Sequence, residues 1–250
     1  MIYISQIFSD EELMELLKKT EAGVEIVDLA AGPMLDDLEG SIPALQRRLE
    51  RLGNPPLTMH GPFLDLNPLS WDPRIAEVSR LRYEQAYRAA RALGASTLVF
   101  HSCFVPFVNF KEGWADRAVA FYRDFLAGKD GSIAVVMENV FDPSPELFRE
   151  VAERVDHPAF GICLDIGHAH CHAEAPVEEW LTTLAPWIRH VHVHDNAGDR
   201  DAHLALGKGT VHFERLVPLI PREATLTIEC NTAADAYATW DELSRTLPRQ

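Results

Sequence analysis

Short apolar runs alternate with longer amphipathic stretches from one end of the chain to the other. The runs Ile2–Ser5, Val24–Leu29, Leu57–His60, Thr97–Ser102, Ile133–Asn139, Phe160–Asp165, Ile188–His194 and Ala224–Glu229 are of strand length and predict β-strands. Between them, Arg74–Leu93, Trp114–Ala127, Pro145–Val155 and Val177–Leu184 place apolar residues at helical spacing, and Ala233–Leu247 closes the series as an eighth helix. Ser9 followed by Glu12 reads as a capping box opening the first helix, and Ser144 is positioned to cap the fifth. This alternation, with no composition break, linker or low-complexity tract, predicts a single α/β domain over residues 1–250, a closed parallel (β/α)8 TIM barrel. An open doubly wound sheet has the same alternation, but no GxGxxG turn follows the first strand.

In such a barrel, chemistry gathers at the C-terminal ends of the strands and in the loops that follow. Those ends carry His60 (LTMHGPF), His101 (TLVFHS), Glu138 (AVVMEN), Asp165 with His168 (CLDIGHAH), His192 (HVHVHD) and Glu229 (LTIEC). Asp201 and His203 follow in the loop DRDAHLALGKG. Alternate strand residues share a face. Thr227 and Thr225 therefore point with Glu229, Val99 and Thr97 with His101, and Cys163 and Gly161 with Asp165, while Leu98, Phe100, Ile162, Leu164, Leu226 and Ile228 face the helices. Imidazole and carboxylate ligands suit zinc, manganese, cobalt or iron. Several carboxylates buried together cost several kcal/mol per charge unless cations compensate them, so divalent metal is the expected cofactor.

Composition adds limits. With 47% hydrophobic and 24% charged residues in a chain of 250, the protein is ordinary for a globular domain. No apolar run approaches the roughly 18 residues of a membrane span, and the polar N-terminus lacks the basic start of a signal peptide, so a cytoplasmic protein with no membrane partner is expected. Cys103, Cys163, Cys171 and Cys230 have no CxxC spacing and read as free thiols. A net charge of −15 repels phosphodiester backbones, which disfavours nucleic acid and favours a small-molecule substrate.

The set HGPFLDLNP, FHSCF, MENV, CLDIGHAH, HVHDNAGDRDAHLALGKG and IEC resembles the xylose-isomerase-like barrel superfamily, which groups sugar isomerases and epimerases with the DNA-repair enzyme endonuclease IV. The resemblance covers nearly the whole chain. It implies two alternatives. Sugar isomerases and epimerases use one metal on a quartet, matched here by Glu138, Asp165, His192 and Glu229. The endonuclease IV pattern adds five ligands for a three-metal cluster, matched by His60, His101, His168, Asp201 and His203. Phe63, just after HGP, is expected to wall a pocket rather than wedge into DNA.

The leading expectation is isomerisation or epimerisation of a small sugar or sugar-like compound through an enediolate, with Glu138 and Glu229 removing and returning the proton and with His168 and Lys208 fixing hydroxyls or a phosphate. The alternative is hydrolysis of a phosphoester or other small-molecule bond by a metal cluster. Four histidines stay unassigned. His170 and His172 read as surface residues, whereas His190 and His194 share the parity of His192, one deeper and one at the rim beside Asp195. Glu25 and Asp28 have opposite parity, so at most one faces inward. Nothing in the sequence reports the oligomeric state.

Overall fold

In the computed structural model, which describes residues 1–247, the strands β1 (Ile2–Ser5), β2 (Gly23–Ile26), β3 (Leu57–His60), β4 (Thr97–His101), β5 (Ala134–Glu138), β6 (Phe160–Asp165), β7 (Ile188–Val193) and β8 (Thr225–Ile228) close into a barrel. Every neighbouring pair is parallel, and β1 closes the ring on β8. The helices α1 (Asp10–Thr20), α2 (Leu38–Arg51), α3 (Pro73–Leu93), α4 (Trp114–Leu126), α5 (Glu146–Val155), α6 (Ile166–His172), α7 (Val177–Leu184), α8 (Phe213–Leu216) and α9 (Ala233–Thr246) occupy the connections. The (β/α)8 expectation holds. Among the described residues, no helix is long and apolar enough to cross a membrane.

The strand boundaries contract by a residue or more where the sequence run continues into a loop: β2 stops at Ile26 rather than Leu29, and β7 at Val193 rather than His194. The Ser9–Glu12 capping box opens α1 as expected. Ser144 does not cap α5. That helix starts at Glu146 with Pro145 at its N-cap and no side-chain cap bond. Two helices absent from the sequence reading matter here. Pro43 lies inside α2, obscuring its periodicity. Helix α6 is short, and its N-cap is Asp165, the last residue of β6, whose Oδ1 accepts from the His168 backbone N–H at 2.7 Å. One carboxylate thus ends a strand, caps a helix and places His168 over the barrel mouth.

Side-chain parity divides the core in two. The outward residues Leu98, Phe100, Met137, Ile162, Leu164, Leu226 and Ile228 are buried against the helices in one continuous cluster. Inside the barrel, Val99, Val136 and Cys163 form a separate small apolar cluster on the β4–β6 half. The opposite half is polar: Glu25, Thr58, His190, His192 and Thr227 are all fully buried there. A barrel interior is packed in layers of side chains, and here half of one layer consists of groups that need hydrogen-bond partners.

Candidate metal centre

Glu138, at the end of β5, is the hub. Its Oε2 lies 3.2 Å from His60 Nε2 and 3.5 Å from His101 Nε2, while Oε1 lies 3.0 Å from His192 Nδ1 and 3.6 Å from His168 Nδ1. His192 Nδ1 is also 3.8 Å from Asp165 Oδ2 and 3.5 Å from Glu229 Oε1, so the imidazole faces three carboxylates from three other strand ends. Beyond Asp165 stands a third group, in which Asp201 Oδ2 is 3.3 Å from His168 Nε2 and 2.9 Å from His203 Nε2. The structure brings all nine expected ligand residues into this connected cluster.

Three of the histidines are latched the same way. His60 Nδ1 lies 2.8 Å from the Gly61 carbonyl, His168 Nδ1 3.0 Å from that of Asn139, and His203 Nδ1 2.8 Å from that of Glu229. A carbonyl only accepts, so each Nδ1 carries the proton and each Nε2 is turned toward the cluster. Backbone latching of one ring nitrogen is how metal-ligating histidines are oriented and their tautomer set. At His203 the latch also holds a strained backbone, with φ at +45°, supported by the antiparallel bridge between Asp195 and Leu204.

Charge distribution fits a cation site. Burial alone would push the Glu138 carboxyl up, but the imidazoles of His192 and His101 outweigh it and hold it well below the usual range. Burial likewise opposes ionisation of Asp165, yet His168 and His194 bring it down to about 2. Conversely, burial would lower His168, but Asp165, Asp201 and Glu138 raise it to about 10; His203, against the same burial, reaches about 9 through Asp201 and Glu229. His101 goes the other way, down to about 3, because burial and the neighbouring imidazoles outweigh Glu138. Without metal, then, ionised carboxylates are balanced by protons on histidines, with His168, His192 and His203 all raised by their carboxylate neighbours. Divalent cations would replace those protons, and four carboxylates with five imidazoles suit zinc, manganese, cobalt or iron.

Phe63 is half-buried and stacks on His101, with ring centroids 4.6 Å apart, and sets its edge against His60 at 5.2 Å, a wall beside the first ligand pair. Lys208 is not brought to the cluster. Its ammonium pairs with Asp235, near the start of α9, and is largely exposed, because the tight turn at Gly207 and Gly209 is pinned back by the Asp195 carboxylate. His170 lies at the rim with Nε2 2.8 Å from Thr210 Oγ1, and His172 packs on Phe141.

The unassigned histidines divide cleanly. His190 is the deep one, with Nε2 3.2 Å from Glu25 and Nδ1 2.6 Å from Thr225. His194 is at the mouth: its Nε2 is 3.1 Å from Asp165 Oδ1 and 3.6 Å from Asp201 Oδ1, and its ring stacks on His203 at 4.0 Å. It completes a candidate ligand group with His168, Asp201 and His203. A side chain at Gly167 would overlap the His194 ring, which explains the glycine there. Of Glu25 and Asp28, Glu25 faces inward, whereas Asp28 pairs with Arg48 at 2.6 Å outside the barrel. The shared parity of His194 and His192 was readable; whether Glu25 or Asp28 would face inward, and which charges the buried histidines would meet, was not.

The chain matches the xylose isomerase-like TIM barrel family over residues 17–246. It belongs to that family. An uncharacterised protein of Methanocaldococcus jannaschii is 28% identical over 205 residues, 76% of this chain and 70% of that one. A probable endonuclease 4 of Mesomycoplasma hyopneumoniae is 25% identical over 181 residues, 66% of this chain and 64% of that one. A Thermus thermophilus protein whose structure was determined after soaking with ZnCl2 superposes with a TM-score of 0.79 at 26% identity, covering 100% of this chain and 99% of that one. A D-tagatose 3-epimerase-like protein shares the fold at a TM-score of 0.79 and 24% identity, covering 98% of this chain and 96% of that one.

One carboxyl beside the cluster makes a separate prediction. Asp142 is buried; its Oδ2 accepts from Ser102 Oγ at 2.7 Å and from the Val140 N–H, but among the described residues Oδ1 has no partner. Burial raises it from 3.8 to about 7. The folded state therefore keeps a proton that the unfolded chain releases, and stability falls as pH rises from about 4 to about 7. Asp142→Asn mimics the protonated group and is expected to flatten that part of the profile, leaving the variant more stable than the parent above pH 7. Thermal midpoints from pH 4 to 8 check this, and an unchanged slope in the variant contradicts it.

Proposed function

We propose that the protein is a divalent-metal-dependent isomerase or epimerase of a small sugar or sugar-like substrate. The observation that carries this reading is the convergence of Glu138, Asp165 and Glu229 on Nδ1 of His192, a compact quartet at the barrel mouth. These four residues would hold the ion, which when bound acts as a Lewis acid toward a carbonyl and its neighbouring hydroxyl. Glu138 and Glu229 end strands three places apart round the ring of eight, so their carboxylates flank the quartet from different sides. One takes a proton from the substrate carbon and the other returns one, and Glu229, the more exposed of the two, is the more accessible to substrate. Phe63 and His101 form the adjacent wall and exclude water from that side.

Cluster hydrolysis is a second reading, favoured by one specific observation. The groups His60–His101–Glu138 and His168–His194–Asp201–His203 stand assembled beside the quartet, although a one-ion isomerase requires neither. Elemental analysis of purified protein and of a His60→Ala, His203→Ala double variant separates the two. One ion per chain, retained in the double variant, together with turnover on a panel of aldoses and ketoses, supports the isomerase. Two or three ions, falling toward one in the double variant, favour hydrolytic chemistry. Protein that binds no divalent metal sinks both.

A further inference from the structure

Beneath the quartet, inside the barrel, sits a carboxylate that neither reading uses. Glu25, on β2, is fully buried. Its Oε2 is saturated: Thr58 Oγ1 donates at 2.8 Å and Thr227 Oγ1 at 3.1 Å, and His190 Nε2 lies at 3.2 Å. Its Oε1 has a single polar neighbour, Nε2 of His192, 3.1 Å away. Both atoms are sealed from solvent, and among the described residues neither is engaged in a hydrogen bond, so the two unpaired groups face one another at contact distance.

We propose that Glu25 is the positioning residue of the metal centre: it holds the proton of His192 on Nε2, so that Nδ1 presents its lone pair to the space between Glu138, Asp165 and Glu229. This rests on the metal reading above. His192 is therefore oriented in the opposite sense to His60, His168 and His203, which give Nδ1 to a carbonyl and Nε2 to the cluster. The difference has a steric origin. His192 is one residue short of the end of β7, so the backbone carbonyls around it are engaged in the sheet, and the partner has to be a side chain from across the barrel.

Glutamine at this position separates orientation from volume. The Oε2 position receives donors from Thr58 and Thr227, so an amide that keeps its oxygen there turns its NH2 toward His192. An NH2 donates. Nε2 must then be bare and the proton moves to Nδ1, where it blocks coordination. Calorimetric titration with zinc, in competition with a chelator, is expected to show Glu25→Gln binding about 10- to 100-fold more weakly than the parent. Nitrogen-15 spectra of the imidazole rings supply a readout that a packing role would not move. In the zinc-loaded parent, the ring lost in His192→Gln should be protonated on Nε2 and coordinated through Nδ1. Unchanged zinc affinity in Glu25→Gln overturns the proposal, and so does coordination of His192 through Nε2. The parent spectrum decides even where the variant does not fold. A parent that binds no zinc overturns the metal reading itself, whereas a parent that binds zinc as tightly as Glu25→Gln overturns only the role of Glu25.

Discussion

Glu138→Gln is expected to lower kcat/KM by at least about a thousandfold on whatever sugar the parent turns over. Proton transfer by a positioned side chain contributes about 10²- to 10⁴-fold, and the same residue is a nominated ligand, so both contributions are lost together. Glutamine preserves volume, and the neighbours of Glu138 lie at hydrogen-bonding rather than packing distances, so the fold should survive. Removal of the hub charge also takes away the carboxylate shared by His60, His101 and His192, so bound metal should fall with activity. Steady-state rates and elemental analysis on the same preparation test this. Near-parental turnover with full metal content would remove Glu138 from the chemistry and with it the proton-transfer assignment.

Removal of metal by a chelator is expected to lower the thermal midpoint by roughly 8–16 °C. An ion present at about a thousand times its dissociation constant stabilises the folded state by about 4 kcal/mol, and each kcal/mol moves the midpoint of a chain this size by about 2–4 °C. The gap should widen with pH. In the metal-free protein His168 and His203 titrate near 10 and 9, above their unfolded value of 6.5. Their stabilisation is complete below pH 6.5 and is lost as pH rises through those values, whereas coordinated imidazoles are already neutral and lose nothing. Scanning calorimetry from pH 6.5 to 10, with and without chelator, reads both effects. Equal midpoints for loaded and stripped protein would contradict a buried cation site.

The cluster explains why its parts were legible at such different depths. His60, His101, Glu138, Asp165 and Glu229 each end, or directly follow, a strand. A parallel barrel puts every such end on one face, so the sequence run and the fold class together place them. Asp201 and His203 lie in a loop without a period of its own, and their assignment came from the family pattern rather than from spacing. Lys208 was open in the sequence between a substrate contact and a solvated loop lysine, and the structure pairs it with Asp235 on a turn held by Asp195.

What the sequence determined by itself is the alternation of strand and helix, the inward parity of the small and ligand-bearing residues, and hence a barrel with a polar mouth. These follow from the periodicity of local backbone geometry, which each segment carries alone. The tertiary structure alone decided which inward-facing residues meet. Closure of β1 on β8 sets Glu25 across the lumen from His190 and His192, while α6, too short to announce itself by periodicity, carries His168 to Asp201. The energies that matter there are pairwise electrostatics and hydrogen bonds over about 3–4 Å between side chains as much as 202 positions apart, and no local pattern along the chain encodes that separation.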